Sequence, residues 1–109
     1  MKKNRNIVLI TGGAGFIGAA VSEEMAQLNS DLILVDINKK NLDTLKNKLC
    51  SKYDCKVDIF NCDMSNTNEL SSLVSKISNK YKRIDTIINS VGMVGTDKMK
   101  GWNLSLIHI

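Results

Sequence analysis

Short runs of consecutive apolar residues alternate along this chain with longer stretches in which apolar positions recur every three or four residues. Ile7-Val8-Leu9-Ile10 stops at Thr11-Gly12-Gly13, and Leu32-Ile33-Leu34-Val35 stops at Asp36. Runs this short and unbroken predict strands buried on both faces. Val57, Ile59 and Phe60 predict a weaker third strand ending at Cys62-Asp63. Ile84-Asp85-Thr86-Ile87-Ile88 predicts a fourth, running into Asn89-Ser90-Val91-Gly92. Between them lie helical patterns. Phe16, Ile17, Ala20, Val21, Met25 and Leu28 mark the first, which ends near Asn29-Ser30. Leu42, Leu45 and Leu49 mark the second, with Asn38 as its cap. Leu70, Leu73, Val74, Ile77 and Tyr81 mark the third, opened by a capping box with Asn66 as cap and Glu69 at the third helical position.

The sum is βαβαβαβ. Parallel strands need crossovers of about a dozen residues or more, and each helical segment supplies one. The expected fold is therefore α/β, a Rossmann-type doubly wound parallel sheet of strand order 3-2-1-4. The periodicity stops after Gly95, although an open α/β sheet normally continues past its fourth strand. The expected organisation is a partial dinucleotide-binding domain over 1–95 and an irregular truncated tail over 96–109.

Composition narrows the class. Fifteen lysines and arginines against eleven aspartates and glutamates leave a net charge of +4, with 43% hydrophobic and 24% charged residues. That is the balance of a globular chain. No apolar run approaches the roughly 18–20 residues of a membrane span, and Ile7–Ile10 is too short for a signal-peptide core. The protein is expected in the cytoplasm, with no membrane partner. The lysines are densest from Lys39 to Lys56, without accompanying arginines or aromatics in a nucleic-acid-binding arrangement. They read as a solvated helix face rather than a nucleic-acid patch. Cys50, Cys55 and Cys62 form no CxxC pair, and His108 stands alone near the end. Zinc-ligand spacing is absent, and unpaired thiols fit a reducing compartment.

The candidate chemistry lies in Thr11-Gly12-Gly13-Ala14-Gly15-Phe16-Ile17-Gly18, between the first strand and the first helix. A tight turn off a strand needs a positive φ, which glycine adopts cheaply. The middle glycine lets a pyrophosphate approach the backbone, and Gly18 allows the helix to pack closely on the sheet. The phosphates would then sit at the positive end of the helix dipole, held by backbone N–H groups. A purely structural turn is the plainer alternative, but the strand before, the helix after and the acidic Asp36 favour a dinucleotide. No Gly-Lys-Ser/Thr follows, which excludes a phosphate-loop NTPase. Asp36 could accept hydrogen bonds from ribose hydroxyls and repel the extra phosphate of NADP, or it could merely cap the next turn. Lys39 and Lys40 are near enough to answer a 2′-phosphate. NAD is the expected cofactor, with NADP as the alternative.

These motifs resemble the amino-terminal part of the short-chain dehydrogenase/reductase family. The resemblance rests on the glycine motif, Asp36, Cys62-Asp63-Met64 and Asn89-Ser90-Val91-Gly92, and covers residues 6–95. It implies that Asp63 meets the adenine amino group with the Met64 backbone beside it. It implies that Asn89 steadies the sheet and borders the cofactor, and that Gly92 lies beside the adenosine ribose. The cofactor-binding set is then Gly12, Gly15, Phe16, Ile17, Gly18, Asp36, Asp63, Met64, Asn89 and Gly92. Ser90 and Val91 depart from the family's asparagine and alanine, and Val91 is bulkier where the backbone nears the cofactor.

The family's reaction uses a Tyr-x-x-x-Lys pair. Four residues after Tyr53 comes Val57 and four after Tyr81 comes Asp85, so the pair is absent and no catalytic residue is expected here. The family places it beyond residue 109, and Leu104–Ile109 resembles a translated sequencing-adapter tail. The expectation is an inactive fragment of an NAD(P)-dependent oxidoreductase acting on an alcohol or carbonyl. Its parent would be a homo-oligomer. The segment Gly92–Trp102 resembles members linked to surface-polysaccharide synthesis. The glycine spacing also matches extended-branch nucleotide-sugar epimerases and dehydratases, and a non-catalytic dinucleotide sensor is the alternative from another class.

Overall fold

The computed structural model describes residues 5–90. In chain order they form β1 (Asn6–Thr11), α1 (Phe16–Gln27), β2 (Ser30–Asp36), α2 (Lys39–Lys52), β3 (Val57–Asn61), α3 (Thr67–Lys80) and β4 (Thr86–Asn89). The four strands make one parallel sheet of order β3-β2-β1-β4, as the pattern predicts. Residues 1–4 and 91–109, which include Gly92, Val91, His108 and the expected tail, lie outside the described residues.

Alternation along each strand divides the core in two. Val8, Ile10, Leu32, Leu34, Val57 and Ile88 point to one face, where they meet Ala26 of α1 and Leu42, Leu45 and Leu49 of α2. Ile33 and Val35 point to the other, against Leu73 and Ile77 of α3, with Cys62 beside them. Burying each of the three α2 leucines is worth about 1.5–3 kcal/mol. That exceeds the roughly 0–1 kcal/mol of an exposed ion pair such as Lys39–Asp43. Apolar burial therefore seats α2, and its charges keep it soluble.

The face of α1 differs from the apolar pattern. Phe16, Ile17 and Leu28 are exposed, and the buried positions are Gly18, Ser22 and Ala26. Small residues four apart let the helix lie close on the sheet, and the Ser22 hydroxyl is satisfied by donating to the Gly18 carbonyl at 2.7 Å. Val74 of α3 is likewise exposed, beside the buried Leu73 and Ile77. The capping box is half formed. Asn66 accepts from the Glu69 N–H at 3.1 Å, but the Glu69 carboxylate reaches the Asp63 N–H at 3.0 Å instead of its own cap. Asn38 caps α2 as expected, accepting from the Asn41 N–H.

Strand β4 begins at Thr86, two residues later than the pattern suggests. The Asp85 N–H donates to the Ile7 carbonyl at 2.9 Å and its carboxylate accepts from the Ile7 N–H at 2.7 Å, so backbone and side chain together extend the pairing to Ile7. Arg83 pairs with Asp85 and donates to the Arg5 carbonyl at 2.7 Å, closing this end of the sheet.

Between α1 and α2, Glu23 accepts from Lys52 and from the Tyr53 hydroxyl, with Lys48 at 3.6 Å. Those hydrogen bonds, led by Lys52, hold the Glu23 carboxyl at about 2 against its ordinary 4.5. A depressed folded pKa contributes stability that is present above the ordinary value and is lost as pH falls towards the folded one. We expect the melting temperature to drop as pH is lowered through this window. Glu23→Gln should lower the melting temperature at neutral pH, where the contribution is fully present, and shallow that drop; equal slopes in parallel thermal melts of the two chains would show that the contact contributes nothing.

Candidate functional site

The strand order reverses between β1 and β4, and in open α/β sheets ligands bind at the carboxyl ends of strands flanking that point. The loop from Gly12 to Gly15 leaves β1 there. Gly12 takes φ 69, a left-handed conformation that glycine adopts without a steric cost. The Gly12 and Gly13 N–H groups both donate to the Val35 carbonyl, at 2.7 and 3.1 Å, which folds the loop over the end of β2. The Ala14 N–H donates to the Asp36 carboxylate at 2.9 Å, and the Gly15 N–H donates back to the Gly12 carbonyl at 3.2 Å. All four donors of the loop are thus used within the protein.

The helix that follows is different. Its first α-helical bond runs from Ala19 N–H to the Gly15 carbonyl, and no side chain caps it. The N–H groups of Phe16, Ile17 and Gly18 belong to the first turn, which has no intrahelical acceptors. Phe16 is fully exposed and Ile17 is 53% exposed, so this turn faces open space. The three glycines of the motif are not equivalent. A Cβ on Gly18 would lie 2.0 Å from the Gly12 carbonyl oxygen, whereas one on Gly15 would meet that oxygen at an ordinary 3.5 Å. The fold demands glycine at 18 and does not demand it at 15.

Asp36 ends β2 with both carboxylate oxygens engaged, one by Ala14 and the other by the Asn38 N–H at 2.9 Å. It therefore caps the turn and also ties down the glycine loop. An ionised carboxylate offers about four acceptor positions, so each oxygen keeps capacity for another donor. Of the nearby lysines, Lys39 is paired with Asp43 at 3.1 Å. Asp63 follows β3, two strands from β1. Its side chain accepts from both the hydroxyl and the N–H of Ser65, which hold it below the usual carboxylate range. Met64 packs against the core on the α3 side, near buried Cys62, whose thiol burial pushes up.

The structure joins β4 to this site through residues that sequence reasoning did not credit. The buried Thr11 hydroxyl donates to Asn89 Oδ1 at 2.7 Å. The Ser90 hydroxyl donates to the Thr11 carbonyl at 2.7 Å and lies 3.2 Å from that of Gly12. On the other side, Asn61 Nδ2 donates to the carbonyls of Asp36 and Ile37, at 3.1 and 2.9 Å. Hydrogen bonds thus connect the glycine loop, Asp36 and Asn89, while Asp63 and Met64 stand on the neighbouring strand end. A groove of about 560 Å³ between β3 and α3 is lined by none of the expected site residues.

Both tyrosines lie at the opposite, amino-terminal edge of the sheet. Tyr53, which precedes β3, donates to Glu23, and Tyr81, which precedes β4, donates to Asp58. Burial, followed by that hydrogen bond, pushes the Tyr81 phenol up, away from any proton-transfer role near neutrality. Among the described residues no group of three histidine, cysteine, aspartate or glutamate side chains could hold a metal ion. No helix among them is long and apolar enough to cross a membrane.

Comparison with known proteins accounts for this arrangement. A family model described as short chain dehydrogenase matches residues 6–107, a span that includes most of the segment expected to be foreign. The chain is 34% identical over 93 residues to 3-oxoacyl-(acyl-carrier-protein) reductase of Thermotoga maritima, covering 85% of this chain and 37% of that protein. It is similar in structure to the bulky-bulky ketone specific alcohol dehydrogenase from Comamonas testosteroni, with TM-score 0.77 and 26% identity over 86% of this chain and 38% of that one. NAD+-bound xylitol dehydrogenase shares the fold, with TM-score 0.71 and 22% identity over 79% and 33% of the two chains. The chain spans about a third of the length of the curated relatives it matches. With its glycine loop, its 3-2-1-4 sheet and a family match over most of its length, the chain belongs to the short chain dehydrogenase family.

Proposed function

We propose that this chain is the dinucleotide-binding part of an NAD(P)-dependent oxidoreductase that acts on an alcohol or carbonyl. The observation that carries this reading is the division of labour among the backbone donors. Gly12 to Gly15 spend theirs within the loop, while the first turn of α1 is uncapped beside a glycine that the fold does not require. An uncapped helix start is a natural seat for a pyrophosphate. In this reading the N–H groups of Phe16, Ile17 and Gly18 hold the phosphates, Gly15 lets them approach the backbone, and Gly12 shapes the turn. Asp36 accepts from the adenosine ribose, Asp63 and the Met64 backbone meet the adenine, and Asn89 borders the cofactor. NAD is preferred because a carboxylate at position 36 repels a 2′-phosphate, while Lys39 is engaged by Asp43. Solved structures that share this fold carry NAD+ in one case and NADPH in another, which supports a nicotinamide dinucleotide as the ligand class.

The nicotinamide of the bound cofactor would supply the hydride donor or acceptor. This chain's own residues hold the adenosine and pyrophosphate end, and the proton-transfer pair belongs to the parent protein, a homo-oligomer. Residues 1–95 form the binding portion. A cytoplasmic setting is supported by three free cysteines, and the pairing of Lys39, Lys48 and Lys52 with carboxylates supports a solvated α2 face rather than a nucleic-acid partner.

Four outcomes are expected. In calorimetric titrations of the 109-residue chain, Gly15→Ala should weaken NAD+ binding about tenfold or more while shifting stability by less than about 1 kcal/mol. Gly18→Ala should instead destabilise the fold by roughly 2 kcal/mol or more in urea melts, because its Cβ meets backbone; equal effects of the two substitutions on stability would remove the distinction. Asp36→Ala should cost NAD+ affinity and narrow the gap between NAD+ and NADP+, and an unchanged ratio would leave Asp36 a purely structural cap. Finally, the 109-residue chain should show no carbonyl-dependent oxidation of NADH; measurable turnover by the purified chain would overturn the assignment of catalysis to residues outside it.

A further inference from the structure

We infer that Asn61 is a positioning residue for cofactor selectivity, acting through Asp36; this rests on the dinucleotide reading above. Asn61 ends β3 directly opposite Asp36 in the parallel register. Its amide points along the sheet to the β2–α2 turn, where Nδ2 donates to the Asp36 carbonyl at 3.1 Å and to the Ile37 carbonyl at 2.9 Å. Both acceptors are carbonyls, so the NH2 end must face them, and its two hydrogens match the two acceptors. The Cys62 N–H donates to the same Asp36 carbonyl at 3.0 Å.

The result is a residue held from three directions. β3 grips its carbonyl, the glycine loop grips one carboxylate oxygen through Ala14, and the turn into α2 grips the other through Asn38. Only the Asn61 bonds span two successive carbonyls, and so set how the chain turns after Asp36. That turn decides where the free acceptor positions of the carboxylate point and where the exposed Ile37 side chain stands. A ribose hydroxyl needs that direction to be right, since hydrogen bonds weaken steeply when misaligned. A 2′-phosphate is repelled by the carboxylate largely through distance, whatever its orientation. Loosening the turn should therefore harm NAD+ more than NADP+.

The test measures dissociation constants of NAD+ and NADP+ for the 109-residue chain carrying Asn61→Ala or Asn61→Ser, neither of which adds charge. Alanine removes the donors and serine restores one. We expect the NAD+ preference to fall about fivefold or more with alanine and to recover in part with serine. In the Asp36→Ala background, Asn61→Ala should leave the ratio unchanged, because the effect passes through Asp36. Equal losses for both cofactors, or an unchanged ratio, overturn the inference while leaving the dinucleotide reading intact. Failure of the unsubstituted chain to bind either cofactor overturns that reading and the inference with it.

Discussion

A Cβ at position 18 would stand 2.0 Å from the Gly12 carbonyl oxygen, so α1 can start where it does only with hydrogen there. From this contact the rest of the site follows. The helix lies close enough for Ser22 and Ala26 to pack on the sheet, and its open first turn comes to rest beside the end of β1. The Gly12 carbonyl also receives the Gly15 N–H and has the Ser90 hydroxyl close by, so one oxygen links the loop, the helix and β4. Moving α1 outward by the width of a methyl group would disturb all three.

Much of the fold is legible in the amino-acid sequence because β2 is apolar without interruption. Leu32 to Val35 are buried on both faces, and a strand of that kind must be central. The helices are legible as helices, but the contact face of α1 is not. Hydropathy marks Phe16, Ile17 and Leu28, whereas the sheet contact is made by glycine, serine and alanine, whose smallness matters and whose polarity says little. Phe16 and Ile17 stand fully or half exposed in the uncapped first turn instead.

The site divides in the same way. Glycine spacing and the acidic end of β2 are local signals, readable from neighbours in the chain. The alternatives for Asp36, ribose acceptor or turn cap, are not exclusive: one carboxylate oxygen caps the turn and the other holds the loop, and each keeps acceptor capacity for a further donor. The supports contributed by Thr11, Ser90 and Asn61 are invisible to local pattern. Each joins strand ends that are far apart in the sequence, and a hydroxyl or amide at such a position carries no periodicity. Ser90 reads as a departure from the family's asparagine, yet its hydroxyl fastens the carbonyl at the end of β1.

The loop's satisfied donors have a kinetic side. A segment whose N–H groups are already bonded to Val35, Asp36 and Gly12 need not be ordered by what binds it. On the reading proposed above, association then loses little conformational entropy, and the affinity would rest on a few rigid donors of the first helical turn. Departure is equally undemanding, since no internal bond must re-form when the ligand leaves. If the proposed reading holds, such a seat suits a molecule that is exchanged at every cycle, arriving in one redox state and leaving in the other, better than one that stays for the lifetime of the protein.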